Sequence, residues 1–240
     1  MTRPRVIALQ HESVATLGWL GDVLAERGVD TEVRDIRGGD PLPGLGEFDV
    51  LISLGGDLSA YDEATFGWLR QEKALIGDAV RAGVPILGIC LGGQLVADAT
   101  GGRTHRAAEP EVGFLQLQLT KEGREDAVLR HLDSPVLLWH GDTFDMPPGA
   151  QLLATSDRFA QAFRIGSALG LQFHPETSPE MLRTWVSAIG RHPVEGPTDG
   201  SDEEGSTRFD ALVPDAERLQ TRLRDCTRRM FSAWANEAGL

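Results

Sequence analysis

The sequence predicts an α/β protein with a mostly parallel open sheet, helices on both faces, some antiparallel strands in the second half, and a C-terminal helix. Three observations carry that prediction. Up to Gly102, short apolar runs alternate with amphipathic stretches of helical length, and glycines close those stretches. Beyond Gly102 the apolar runs follow one another closely, separated by turn residues. Near the C terminus a long stripe of apolar residues recurs at helical spacing. Strand–helix alternation implies parallel strands, because each crossover helix packs back on the sheet. Closely spaced strands imply hairpins.

The elements follow in order. RVIALQ (5–10) reads as a buried strand. A helix follows over 16–27, with Leu17, Leu20, Val23 and Leu24 on one face and Gly28 as its stop. TEVRDI (31–36) is a second strand and FDVLISL (48–54) a third, ending in Gly55-Gly56. Residues 64–82 form a helix closed by Gly83, and VPILGI (84–89) is the fourth strand. In the second half, EVGFLQLQLT alternates Leu115, Leu117 and Leu119 against Gln116, Gln118 and Thr120. SPVLLWHGD, AQLLATS, AQAFRIG and ALGLQFHPE are further short strands. Ser178 then caps a helix reaching Ile189, with Pro179 suited to its first position and Glu180 to its positive end.

The segment 191–208, RHPVEGPTDGSDEEGSTR, is acidic and rich in Gly, Pro and Ser, the composition of a linker or exposed loop. After it, Leu212, Ala216, Leu219, Leu223, Cys226, Met230 and Trp234 form the apolar stripe. The plainer reading is a helix docked on its own domain; a dimer contact, and so a homo-oligomer, is the alternative. The expected division is a main domain over 1–190, a loop or linker over 191–208, and an amphipathic helix over 209–240.

Composition bounds the function. A chain of 240 residues has material for one or two domains with a full core. Its formal net charge of -13, without a basic patch, argues against a nucleic-acid or membrane partner. Two cysteines make no multi-bridge framework and show no zinc-type spacing. The start MTRPRVIALQHES turns polar too soon for a signal peptide, so a reducing cytoplasm is the default location.

The chemistry centres on GICLG, where Cys90 lies between Gly88 and Gly92 after a strand and before a helix. That is the strand–turn–helix pattern of a nucleophile elbow. It lifts a side chain to the carboxyl edge of the sheet, and the helix N-terminus behind it favours thiolate. In LQFHPE, His174 stands at a strand end as a base, and Glu176 can turn back to orient it. After the third strand, the Gly55-Gly56 pair lets backbone N–H groups approach a substrate oxygen. The Gly56 N–H and the Leu91 N–H would then form an oxyanion hole. Taken singly, these parts are a buried cysteine, a locally bonded histidine and a glycine turn; together they point to acyl transfer. His11, His140, Asp142 and His174 match no metal-ligand spacing, and no phosphate-cradling loop is present, so neither metal nor cofactor is expected.

GICLGGQL with QFHPE resembles the class I, triad-type glutamine amidotransferases, whose fold is flavodoxin-like. SLGGDLSAYDE resembles the oxyanion strand of that family and WHGD its substrate-binding segment. The resemblance covers about residues 5–189, and is strongest to stand-alone proteins similar to the amidotransferase domain of GMP synthase. It implies Cys90 as nucleophile, His174 as base and Glu176 as orienter. Gly55, Gly56 and Leu91 would serve the oxyanion hole. Gln94 and the segment Trp139, His140, Gly141 and Asp142 would lie near the substrate. The implied reaction releases ammonia from glutamine through a γ-glutamyl thioester and delivers it to a synthetase in trans. The alternative is a stand-alone hydrolase of γ-glutamyl amines or peptides. Trp139 favours that alternative, because ammonia-producing members usually carry a small polar residue at its position.

Overall fold

The computed structural model of the protein describes residues 3–189 and 202–240. β1 (Val6–Gln10), β3 (Val50–Ser53) and β4 (Ile86–Ile89) are nearly continuous apolar runs, which suits strands buried on both faces. β2 (Thr31–Asp35) carries Glu32, Arg34 and Asp35 and forms one edge. These strands pair in parallel, and β10 (Ala168–Leu171) adds to β4, also in parallel. β9 (Ala160–Ile165), β8 (Gln151–Thr155) and β6 (Gln118–Leu119) extend the sheet antiparallel. The order across the eight strands is β2-β1-β3-β4-β10-β9-β8-β6. The α/β class with a mostly parallel sheet is as expected.

Alternation along the strands supplies two cores. Val6 and Ala8 face α1 (Gly18–Glu26) and α6 (Asp202–Glu237), joining Leu20, Leu24, Met230, Phe231 and Trp234. Ile7 and Leu9 face the other way, toward α2 (Trp68–Arg81) and α3 (Leu91–Ala99), with Leu69, Ile76 and Leu95. A smaller cluster joins Trp139, α5 (Pro179–Ile189) and the start of the α6 stripe at Leu212 and Ala216. The short helix α4 (Lys121–Glu125) packs beside β8. Among the described residues no helix is long and apolar enough to cross a membrane.

Several boundaries differ from expectation. EVGFLQLQLT is not one strand. Its first half ends β5 (Arg103–Leu115), which pairs with β7 (Val136–Asp145) in a separate ribbon, whereas β6 joins the main sheet through β8. The chain therefore changes sheets between Leu115 and Gln118, where the alternation alone shows no break. α2 begins at Trp68 rather than Ala64, because Asp62 first closes a turn by accepting from the Thr65 and Phe66 N–H groups. Of the segment 191–208 read as a loop, 191–201 lie outside the described residues, and α6 begins at Asp202 rather than at 209. Acidic residues suit the first turn of a helix as well as a loop. Of the apolar stripe, Leu212, Ala216, Leu223, Cys226, Met230 and Trp234 are buried, and Leu219 is half-buried.

Candidate active site

Cys90 sits at the junction of β4 and α3 with φ 51° and ψ -107°, the one non-glycine residue at positive φ among those described. That conformation costs about 1–3 kcal/mol and persists only where its surroundings impose it. Here the Cys90 N–H donates to Leu171 O at 2.7 Å, and Cys90 O accepts from the Gln94 N–H at 3.0 Å. The flanking glycines are sterically required. A Cβ on Gly88 would lie 2.5 Å from Gly92 O, and one on Gly92 would lie 1.9 Å from Ser53 O. This elbow presents the thiol to a pocket of about 380 Å³ at the carboxyl edge of the sheet.

His174 lies three residues beyond the end of β10, not at the strand end itself. Its N–H donates to Leu137 O at 2.9 Å, so a bridge to β7 holds it over the pocket. Nδ1 is 2.8 Å from Glu176 Oε1, and the imidazole lines the same pocket as Cys90. Burial pulls the His174 pKa down, but the charges of Glu176 and Cys90 outweigh it and push the pKa up to about 10. The shift favours the cationic form of the imidazole beside Glu176. Trp185 packs edge-on against it with ring centroids 4.9 Å apart.

The glycine pair lies alongside. A Cβ on Gly55 would be 3.2 Å from His174 Cε1 and 3.7 Å from Cys90 Cβ. A Cβ on Gly56 would be 3.0 Å from Leu91 Cδ2, so the two residues pack against each other. Gln94 and the Trp139–Asp142 stretch line the same pocket. Gln94 Nε2 donates to Asp142 O at 3.4 Å and to Gln172 Oε1 at 3.2 Å. The Asp142 carboxylate accepts from Ser59 Oγ at 2.5 Å and from Tyr61 OH at 3.1 Å.

His140 is committed to the ribbon. Its Nδ1 is 2.9 Å from Asp142 O and its Nε2 3.2 Å from Glu111 Oε2. Burial pushes the Glu111 carboxyl up, but hydrogen bonds from His140 and Ser156 prevail and hold it below the usual range. Trp139 lines the pocket and is also packed, edge-on to Trp185 at 5.9 Å and to Phe209 of α6 at 5.4 Å. Among the described residues no group of three or more His, Cys, Asp or Glu is arranged to hold a metal. His11 is spent on Glu72 and the Leu54 carbonyl.

Sequence reasoning missed four contributors. Gln172 donates to Cys90 Sγ at 3.7 Å; it stands two residues before His174, and that spacing was a usable signal. Ser59 and Tyr61 lie within the SLGGDLSAYDE stretch but carry no motif of their own. Trp185 reaches the site from α5 and gave no local sign.

A cysteine elbow and a buried His–Glu pair meet at the carboxyl edge of an α/β sheet. A family model for class-I glutamine amidotransferases matches residues 18–186, and the chain belongs to that family, whose members act enzymatically on glutamine. It is 32% identical over 186 residues to the glutamine amidotransferase-like protein YfeJ of Salmonella typhimurium, covering 74% of this chain and 78% of that one. It is 35% identical over 139 residues to a subunit of the glutamine-hydrolyzing GMP synthase of Sulfolobus acidocaldarius, covering 55% and 69%. Among solved structures, a glutamine amidotransferase from Thermotoga maritima superposes with TM-score 0.84 at 28% identity over 100% of both chains. One from Methylobacillus flagellatus superposes with TM-score 0.85 at 28% identity, covering 98% and 96%.

Proposed function

We propose that the protein hydrolyses the γ-carboxamide of glutamine through a γ-glutamyl thioester on Cys90 and passes the ammonia to a separate synthetase. The observation that carries this reading is the Cys90 elbow lining one pocket with His174, whose Nδ1 is bonded to Glu176. The Cys90 thiolate attacks the amide carbon, and the developing oxyanion is received by the Gly56 and Leu91 N–H groups. Imidazolium at His174 gives its proton to the departing nitrogen, ammonia leaves, and the thioester remains. His174, now neutral, takes a proton from water as the water attacks the thioester carbon. Glutamate leaves and the thiolate–imidazolium pair is restored. Glu176 holds the ring orientation and the cation throughout. In this reading Gln94 and Asp142, which line the pocket, meet the glutamyl end of the substrate. The synthetase partner is supported by the similarity to the Sulfolobus acidocaldarius protein, which is itself one part of a glutamine-hydrolyzing GMP synthase.

A second reading is favoured by Trp139 and Trp185, which give the pocket apolar walls. Such walls suit a leaving amine larger than ammonia, as in a γ-glutamyl amine or peptide. Incubating the purified protein with glutamine and a panel of γ-glutamyl compounds, and identifying the released amine, decides between the readings. Ammonia from glutamine at the highest kcat/KM supports the first. Release of larger amines with glutamine left intact supports the second, and no release from any of them removes both.

A further inference from the structure

Behind the oxyanion strand lies a buried ion pair that the acyl-transfer steps leave unused. His11 follows β1 and Glu72 lies on α2, and both side chains are wholly buried. His11 Nε2 is 2.9 Å and 3.1 Å from the two Glu72 oxygens, and its Nδ1 is 3.0 Å from Leu54 O. One ring nitrogen faces a carbonyl and the other a carboxyl group, an arrangement that suits a proton on each. Desolvation pulls the His11 pKa down, but the charge and hydrogen bond of Glu72 prevail and raise it above the ordinary range. Ser53 Oγ donates to Glu72 Oε1 at 2.8 Å, and Trp68 stacks on the imidazole at 5.5 Å with an 11° tilt.

A buried pair of this kind is costly to desolvate, and apolar residues of similar volume commonly match or exceed its contribution to stability. Its position shows what it adds. The Leu54 carbonyl accepts from His11 Nδ1 and also from the Gly92 N–H at 3.1 Å. Leu54 directly precedes Gly55-Gly56, and Gly92 directly follows Leu91 at the start of α3. One carbonyl thus ties together the two segments that carry the oxyanion donors. A Cβ on Gly56 would meet Leu91 Cδ2 at 3.0 Å and His11 Cβ at 3.1 Å, so the turn is held between them.

We infer that the His11–Glu72 pair is a positioning device for the oxyanion hole, fixing the Leu54 carbonyl and the Gly55-Gly56 turn so that the Gly56 and Leu91 N–H groups converge on one oxygen. The inference rests on the acyl-transfer reading above. A charged donor holds the carbonyl more firmly than a neutral one and polarises the Leu54–Gly55 peptide. Because the hole is filled only as the oxyanion forms, its misplacement is felt in the transition state rather than in substrate binding.

The test is Glu72→Gln, which keeps the shape and removes the charge. The expected result is a fall in kcat on glutamine of about 10–100-fold, short of the roughly 10²–10³-fold cost of losing one oxyanion donor outright, with KM little changed. Acylation of Cys90 by p-nitrophenyl acetate, which needs the thiol and the hole but no glutamyl recognition, should fall by a similar factor. The ¹⁵N spectrum of the wild type should show His11 protonated on both nitrogens at neutral pH. Should Glu72→Gln fail to fold, the double variant His11→Leu/Glu72→Leu replaces the pair by apolar volume and should fold with the same kinetic loss. A folded variant with wild-type kcat and acylation, a loss confined to KM, or a singly protonated His11 overturns the inference. A wild type acylated by the ester but inert to glutamine removes the glutamine reading and leaves the inference to the ester arm. A wild type acylated by neither removes both.

Discussion

Thr227 offers a direct test of whether the C-terminal helix belongs to the catalytic apparatus. It lies outside the residues 18–186 that match the family model. Its buried hydroxyl donates to Pro175 O at 2.6 Å, and Pro175 stands between His174 and Glu176. From the other side, the Trp19 N–H donates to Glu176 O at 2.8 Å. The peptide joining base and orienter is thus pinned between α1 and α6. Thr227→Val keeps the shape but removes the donor to a buried carbonyl, a loss of about 1–3 kcal/mol. For a chain of this size that lowers Tm by about 2–12 °C. A displacement of about 1 Å at the reacting groups costs up to about 10²-fold, so a fraction of that shift should lower kcat about tenfold with KM unchanged. Thermal unfolding and initial rates of glutamine hydrolysis measure the two effects, and Thr227→Ser should restore both. If Thr227→Val lowers Tm while kcat stays at the wild-type value, α6 supports stability alone and the reasoning fails.

Three further variants probe the site. In Glu176→Gln the charge that holds the His174 proton up to about pH 10 is gone, so the imidazolium that protonates the leaving amine is lost at lower pH; the alkaline limb of kcat/KM should move down by about 1–3 pH units, and an unmoved limb would contradict the assignment. Gly18 has φ +48°, and a Cβ there would lie 2.2 Å from Glu176 O, so Gly18→Ala should cost about 2 kcal/mol or more in urea unfolding and lower kcat; a variant as stable as wild type would refute the contact. Trp139→Ser should cost about 3–5 kcal/mol, as truncation of a packed aromatic does, while raising turnover of glutamine relative to bulkier γ-glutamyl amides. Unchanged stability and unchanged preference would deny Trp139 both its packing and its wall role.

The candidate site was legible where local backbone geometry leaves a local signature. Gly88, Cys90 and Gly92 read as an elbow because the turn at Cys90 tolerates no Cβ at either flank. His174 and Glu176 read as a pair because they stand two residues apart, and the carboxylate turns back to Nδ1. The parallel half of the sheet was legible from its apolar runs and glycine stops. What stayed hidden depends on contacts between distant segments. The switch of sheets between Leu115 and Gln118 is decided by the partners β7 and β8, not by the alternating leucines. His174 is held by Leu137 rather than by a strand end. Trp185, Thr227 and Gly18 act through contacts far along the chain, and none sits in a pattern of its own. His11 shows the same limit: the sequence names no partner for it, and its partner is Glu72 on another element.

The most direct test of the account is the covalent state of Cys90 during turnover. Protein quenched in acid while hydrolysing glutamine should carry a γ-glutamyl adduct that peptide mapping places on Cys90, with ammonia released at the same time. Cys90→Ala should keep the fold and show neither adduct nor ammonia. Ammonia release by Cys90→Ala at the wild-type rate, or an adduct on another residue, would contradict the central claim.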